Sequence, residues 1–192
     1  MIRTMMCAVA ALAAASAAQA QNLENSVQGP VKKIQIVGEA PAACVVAGAP
    51  ATSGDNAVFA STSTRGAEVA ITQFVDPQTA QVRPTQINLA LPVICNTGHR
   101  VVVRTVRGGL AREGAAVAAQ AGFRQLVPYT VSADWAGFTR TGVSSVSGAL
   151  IIDRAEGAAG DLGIRIEVPQ GGEPLIAGAY SDQVIIELQA TT

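Results

Sequence analysis

Residues 87–95 read Ile-Asn-Leu-Ala-Leu-Pro-Val-Ile-Cys, and this stretch decides the fold. Every second side chain from Ile87 to Cys95 is apolar, whereas Asn88 and Ala90 occupy the opposite phase. Because successive side chains of a strand point to opposite faces, the alternation predicts a half-buried β-strand whose cysteine points into the core. Pro92 lacks an N–H donor, which favours an edge position or a bulge at that point.

Further short bursts of Val, Ile and Thr follow along the chain, separated by Gly, Pro, Ser and Asn. They predict strands at residues 99–106, 125–132, 149–153, 163–168 and 183–189. Short alternating strands at this spacing are typical of an all-β, immunoglobulin-like β-sandwich. Residues 54–66 and 155–160 are small and polar, so we expect both to be surface loops. The alanine-rich residues 110–120 leave two alternatives open, a short helix or a mobile loop.

The first twenty residues predict a signal peptide. Arg3 supplies a positive charge, residues 5–15 form an apolar run too short to span a bilayer, and Ala18-Gln19-Ala20 has the small residues of a cleavage site. The expected organisation is therefore a signal peptide over residues 1–20, an N-terminal extension over 21–37 and a single sandwich domain over 38–192. No later apolar run approaches the length of a membrane span, so we expect an exported mature protein without one.

Three cysteines are present, and Cys7 would leave with the signal peptide. The remaining pair, Cys44 and Cys95, would lie in a compartment where disulfides persist, so we expect one bridge between them. In the chain-entropy view, closing a loop of this size stabilises the fold by roughly 3 to 4 kcal/mol. The alternative is that both thiols are free and buried.

Charge and motifs argue against nucleic-acid binding and against catalysis. The 13 basic and 14 acidic residues are scattered, which does not suit a polyanion partner. The single histidine, His99, is expected at a surface turn, and the chain contains none of the common hydrolase or zinc-protease motifs. Asp153, Glu156 and Asp161 are expected to be solvated turn residues. We therefore predict no enzyme, no cofactor and no metal.

Two groups of side chains admit a binding role beside a structural one. Arg100, Arg104 and Arg107 could dock an acidic sugar or a carboxylate, although charges on an outward face also keep a sandwich soluble. The aromatic residues Tyr129, Trp135 and Phe138 could stack on a glycan, but a lone tryptophan in such a domain is more often part of the core.

Several segments together resemble one known family. They are residues 91–96 (Leu-Pro-Val-Ile-Cys-Asn), the stretch 126–131 around Tyr129, and the terminal run from Gly178 through Tyr180 and Asp182 into an alternating strand. This combination is similar to the spore coat protein U domain family, which includes secreted pilin subunits of archaic chaperone-usher systems. The resemblance covers nearly the whole mature chain, and Gly-x-Tyr-Ser-Asp at 178–182 is its most specific part.

The resemblance implies an incomplete immunoglobulin-like sandwich that lacks its last strand and exposes an apolar groove. A strand from another molecule would fill that groove, either from a periplasmic chaperone or from the next subunit. In this chain Leu23, Val27 and Val31 share one phase and form the candidate donor strand, whereas Ile34 and Ile36 lie in the other phase. We therefore expect residues 34–37 to begin the domain's own first strand. The alternative is a disordered leader.

The implied function is that of a structural subunit of a secreted surface fibre, a pilus or fimbrium, that supports cell adhesion or biofilm formation. The implied partners are a periplasmic chaperone, an outer-membrane usher and neighbouring pilin subunits. The implied location is the periplasm during assembly and then the cell surface. The alternative from another class is a monomeric periplasmic or secreted binding module with a complete sandwich and no catalytic activity.

Overall fold

A computed structural model describes residues 32–63, 65–114 and 120–191 of the chain. The expected signal peptide and the candidate donor residues Leu23, Val27 and Val31 lie outside these ranges. The chain divides into two compact units, residues 1–39 and 40–192. In the first unit, the described residues 32–39 are exposed and carry neither helix nor strand.

The described part of the second unit is all-β, with fourteen strands and no helix. The strands are β1 Cys44–Val46, β2 Ala51–Asp55, β3 Ala57–Ser63, β4 Gly66–Ile71, β5 Thr85–Cys95, β6 His99–Thr105, β7 Leu110–Arg112, β8 Leu126–Val127, β9 Thr130–Trp135, β10 Phe138–Val143, β11 Leu150–Arg154, β12 Ala158–Val168, β13 Tyr180–Ser181 and β14 Val184–Ala190.

Two antiparallel sheets form the body of this unit. The large sheet has the order β1-β5-β12-β9-β10, and β2 also pairs with β5 on the side of β1. The small sheet has the order β11-β6-β14. Two minor sheets complete the unit, one with the order β13-β7-β8 and the other formed by the β3–β4 hairpin alone.

The inward faces of the two main sheets share one hydrophobic core. From the large sheet it takes Val93, Trp135 and Leu162, and from the small sheet it takes Val101 and Ile152, each no more than 2% exposed. These residues occupy alternate positions of their strands, as the sequence pattern predicts for a sandwich. The arrangement is consistent with the immunoglobulin-like sandwich expected from the sequence.

The strand predictions agree with the structure in all but a few places. β5, β6, β11, β12 and β14 form where alternation predicts strands, and β12 extends further toward its N-terminus than expected. The interval 125–132 instead contains two strands, because β8 ends at Val127 and β9 begins at Thr130. Neighbouring residues 110–112 form strand β7 rather than a helical turn, and residues 115–119 lie outside the described ranges.

Two expectations about the N-terminal half are wrong. Residues 34–37 form no strand, and the first strand begins at Cys44. Residues 54–66 are not a loop, because they carry the end of β2 and strand β3 and lead into β4. Their small and polar side chains do not prevent pairing, since β3 and β4 supply each other's backbone partners.

Pro92 lies within an interior strand rather than at an edge. It sits opposite Asp161 of β12, while on the other side of β5 the partners are β1 at residues 93–95 and β2 at residues 86–90. Pro92 therefore falls between two short partner strands, where a missing donor breaks no ladder bond. Its carbonyl still accepts a hydrogen bond from Ala47 N at 2.7 Å.

Candidate functional site

A long apolar groove opens between the two main sheets beside strand β14. Its volume is about 960 Å³. Alternate residues of β5 and β12 line it together with apolar residues of β14: Ile87, Leu89, Leu91, Val93, Leu162, Ile164, Ile166, Val168, Val184, Ile185, Ile186 and Leu188. The two sheets therefore expose inward-facing side chains to a shared channel along this side of the sandwich.

Strand β14 borders the groove with an edge that has no partner among the described residues. Within the described residues, β14 pairs only with β6, in a register that runs from Val184 opposite Thr105 to Ala190 opposite His99. An edge strand presents unpaired N–H and C=O groups that readily accept another strand. The groove thus combines an apolar floor with backbone groups able to bind an extended peptide.

Val93, Leu162 and Ile164 at the floor of the groove are buried, but other side chains facing it are less buried than their positions in the strands would suggest. Val184, Ile186 and Leu188 alternate correctly for the core face of β14, yet all three are only half-buried. Leu89 and Leu91 of β5 are half-buried as well. Equivalent residues of β6, Val101 and Val103, are 1% and 2% exposed. The packing of the sandwich is therefore complete beneath β6 and incomplete beneath β14.

One end of the groove is held by Asp182, whose carboxylate accepts four hydrogen bonds. Oδ1 accepts from Arg107 N at 2.8 Å and from Gln183 N at 2.7 Å. Oδ2 accepts from Gly109 N and from the hydroxyl of Tyr129, both at 2.8 Å. This carboxylate joins the start of β14 to the β6–β7 connection and to the core.

Tyr129 is the buried partner in this cluster, at 3% exposure. Burial, followed by the hydrogen bond to Asp182, raises the pKa of its phenol well above the ordinary value. The protonated hydroxyl is the donor in the bond to Asp182. Tyr129 and Asp182, two residues of the family motif, are 53 positions apart in the chain and in direct contact in the structure.

The other two motif residues shape the adjoining loop. The hydroxyl of Tyr180 donates to Ile176 O at 2.7 Å, its ring lies 5.3 Å from that of Phe74, and burial raises the pKa of its phenol. Gly178 has a φ of +154°, and a Cβ there would lie 2.6 Å from Nε of Arg112. Glycine is favoured here because L side chains rarely adopt this φ and because a Cβ would displace Arg112, whose Nε donates to Ala177 O.

The predicted disulfide is confirmed, because Cys44 and Cys95 are bonded to each other. They are direct register partners of β1 and β5, with Cα atoms 4.1 Å apart. Their side chains lie in or against the core that both main sheets share. The bridge therefore fixes the short strand β1 to the long interior strand β5.

His99 is buried rather than placed at a surface turn, with 1% exposure. Its Nδ1–H donates to Thr97 O at 2.9 Å, and its Nε2 accepts from the indole N–H of Trp135 at 2.7 Å. The sequence contained a signal for this, because His99 shares the inward phase of Val101 and Val103. Trp135 lies in the core, as expected, at 1% exposure.

His99 also lies close to Cys44 and Cys95, and all three are side-chain types that can bind a metal ion. Their possible ligand atoms lie within 4.8 Å of one another. Both sulfurs are used by the disulfide and both ring nitrogens by hydrogen bonds. These side chains therefore offer no free ligand atom in this state, and the group is structural.

The outward arginines of β6 are paired with acids on neighbouring strands. Arg100 Nε lies 2.6 Å from Oδ1 of Asp153, and Arg104 Nη2 lies 3.0 Å from Oε1 of Glu187. Arg107 instead donates to Ser181 and to Arg112 O. Glu156 and Asp161 are exposed and apart from His99, which is buried. The structure therefore does not gather these residues into an acidic-ligand site or an acid-base pair.

The β3–β4 hairpin is the part of the groove that the sequence interpretation missed. Residues 66–71 line the cavity together with Ser63 and Arg65. Alternation was present in Ala67, Val69 and Ile71, but glycine and small polar residues nearby favoured a loop. Such a short strand becomes evident only once its partner is known.

The described residues contain no helix long and apolar enough to cross a membrane. Comparisons of the chain with family models, with curated proteins and with solved structures found no match in any of the three.

Proposed function

We propose that this chain is a structural subunit of a secreted surface fibre that assembles by donor-strand complementation and supports adhesion or biofilm formation. The observation that carries the proposal is the apolar groove beside the unpaired edge of β14. A strand inserted there would supply a backbone partner for β14 and apolar side chains for the half-buried inner face. The sandwich would then be complete.

The shape of the groove favours a strand over a compact ligand. Its lining follows β14 from Val184 to Leu188 and the facing residues of β5 and β12, so the apolar surface is long and repeats with the period of a strand. Seven residues of β14 extend over about 23 Å at the usual rise of a strand. Small-molecule sites usually add a few convergent polar groups to such a lining. Here the carboxylate of Asp182 is already satisfied by four donors, and the charged side chains of Arg65 and Glu68 lie on the β3–β4 hairpin rather than on the apolar floor.

The donor in this proposal is the segment that carries Leu23, Val27 and Val31. Nine residues from 23 to 31 extend over about 30 Å, enough to cover β14. Since donor and groove are different surfaces of the same chain, the contact is head-to-tail, and such contacts generate open fibres. The proposed partners are therefore neighbouring copies, preceded during export by a periplasmic chaperone and an outer-membrane usher.

Two full-length variants test this assignment when they are mixed. Val27→Asp places a charge in the donor and leaves the groove intact, whereas Ile186→Asp places a charge in the groove and leaves the donor intact. Each variant alone should remain monomeric in size-exclusion chromatography with light scattering. An equimolar mixture should form dimers and stop there, because each pair has only one functional donor and one functional groove.

Gln28→Asp, in the opposite phase of the donor, is the matched control and should polymerise like the unchanged chain. Circular dichroism verifies that Ile186→Asp retains its strands. Polymerisation of Val27→Asp alone would contradict the donor assignment. A chain that stays monomeric at all concentrations and captures no peptide of residues 21–33 would instead favour the monomeric binding module.

A further inference from the structure

The β3–β4 hairpin places one of its faces over the groove. All of residues 66–71 border the cavity, but the side chains of Ala67, Val69 and Ile71 are half-buried whereas Gly66, Glu68 and Ala70 are exposed. The inner face of β4 thus covers the same apolar surface that an incoming strand would need. Ile71, nearest the base, also packs against the main core.

The hairpin is attached to the sandwich in a way that permits movement. β4 pairs only with β3, and no ladder among the described residues joins either strand to β14 or β5. Beyond Ile71, the described groups of β4 that face the apolar floor are the half-buried side chains of Ala67 and Val69, and apolar burial is not directional. Because no described β-ladder joins the hairpin to the groove, the hairpin can move away from the groove without breaking ladder hydrogen bonds.

The base of the hairpin is anchored by Asn56. Its Nδ2 donates to Gln73 O at 2.9 Å and to Thr85 Oγ1 at 2.9 Å, and its Oδ1 accepts from Gln73 N at 2.9 Å. Asn56 has a φ of 58°, a left-handed conformation that asparagine tolerates. The chain thus enters the hairpin through a single well-bonded residue that can serve as a pivot.

We propose that the β3–β4 hairpin is a movable cover that shields the groove of the free subunit and turns away about Asn56 when a strand enters. This inference rests on the proposed function of the groove as a strand acceptor. The cover reduces the apolar surface that a free subunit exposes to water, and such surface promotes aggregation. The inner side chains of the hairpin, Ala67 and Val69, are small, so an incoming strand can compete with the hairpin for binding to the apolar floor of the groove.

Two neighbouring substitutions test the cover in the full chain. Val69→Asp charges the half-buried face of β4, and Ala70→Asp places the same charge on the exposed face of the same strand. Binding of a fluorescent peptide of residues 21–33 should be about tenfold faster with Val69→Asp, since removing a competing closed state raises the competent fraction. Ala70→Asp should bind at the unchanged rate. Equal rates for both variants would overturn the proposal.

A second variant controls for the possibility that Val69→Asp acts only by disturbing the fold. Asn56 O accepts from Thr72 N at 3.1 Å, so residues 57–71 can be replaced by an Asn-Gly turn that joins adjacent ends. This variant should also bind the peptide faster and no more weakly. Weaker peptide binding by both Val69→Asp and the shortened chain would show that the hairpin is a fixed wall and would overturn the cover.

A dye readout separates failure of the cover from failure of the proposed function. Without peptide, 8-anilinonaphthalene-1-sulfonate fluorescence should rise for Val69→Asp and for the shortened chain but not for Ala70→Asp. If no variant binds the peptide while the dye follows this order, the cover stands and the donor assignment fails. If the dye does not distinguish Val69→Asp from Ala70→Asp, the cover fails.

Discussion

The indole Nε1–H of Trp135 donates to Nε2 of His99 over 2.7 Å, and both side chains are 1% exposed. The bond joins the large sheet to the small sheet through the core, because Trp135 ends β9 and His99 begins β6. It also sets the tautomer of the imidazole, since Nδ1 must then carry the proton that Thr97 O accepts. The single histidine of the chain is therefore a structural acceptor.

Trp135→Phe should lower the free energy of unfolding by about 2 to 4 kcal/mol. The change leaves Nε2 of His99 buried without a donor and removes core volume. Urea unfolding monitored by circular dichroism measures the effect. Arg100→Gln, beside His99 but in an exposed ion pair, is the control and should cost less than about 1 kcal/mol. Equal effects of the two changes would contradict a structural role for the bond.

Stability should fall as pH rises above about 10, the ordinary pKa of tyrosine. Burial raises the pKa of Tyr129 in the folded state, so above this pH the unfolded chain loses a proton that the folded chain retains. This contribution is fully present below pH 10 and is lost above it, at up to about 1.4 kcal/mol per pH unit. The midpoint of urea unfolding, measured at several pH values between 9 and 11, gives this pH dependence of stability.

The control for this alkaline effect is Tyr129→Phe, which removes the titrating group while keeping the ring. Its stability should fall less steeply above pH 10 than that of the unchanged chain. Some slope should persist, because burial also raises the pKa of Tyr180. Identical slopes for the two proteins would rule out Tyr129 as the source.

Removing the disulfide by Cys44→Ser with Cys95→Ser should lower the free energy of unfolding by roughly 3 to 4 kcal/mol. The two cysteines are 51 positions apart, and the lost cross-link frees this loop in the unfolded chain. Thermal unfolding of the double variant, compared with the unchanged chain in oxidised and reduced form, measures the effect. A reduced chain as stable as the oxidised one would contradict it.

Asn56→Gly should lower the free energy of unfolding by about 1 to 3 kcal/mol, because it removes the side-chain bonds at the base of the hairpin. Glycine tolerates the left-handed conformation, so backbone strain does not contribute. Hydrogen exchange should accelerate at the amide of Gln73, which donates to Asn56. Asp55→Gly, at the exposed neighbouring position, is the control and should leave that amide protected.

Local alternation was enough to predict most of the strands of the sandwich. In β5, β6 and β14 the apolar residues of one phase face the core, because side-chain direction within a strand depends only on the backbone period. The Cys44–Cys95 bridge followed from the count of cysteines together with the expectation of export. Both are properties that a sequence carries without reference to distant residues.

The sequence by itself therefore determined an all-β chain, the core face of its main strands and its one disulfide. Tertiary structure alone decided which strand edge lacks a partner within the described part of the chain, that His99 meets Trp135, and that β3 and β4 form a hairpin over the groove. These features depend on the order of strands in each sheet, which arises from contacts between residues far apart in the chain. The alternation of apolar residues in β14 predicts which side chains face inward. It does not predict whether a neighbouring strand covers them.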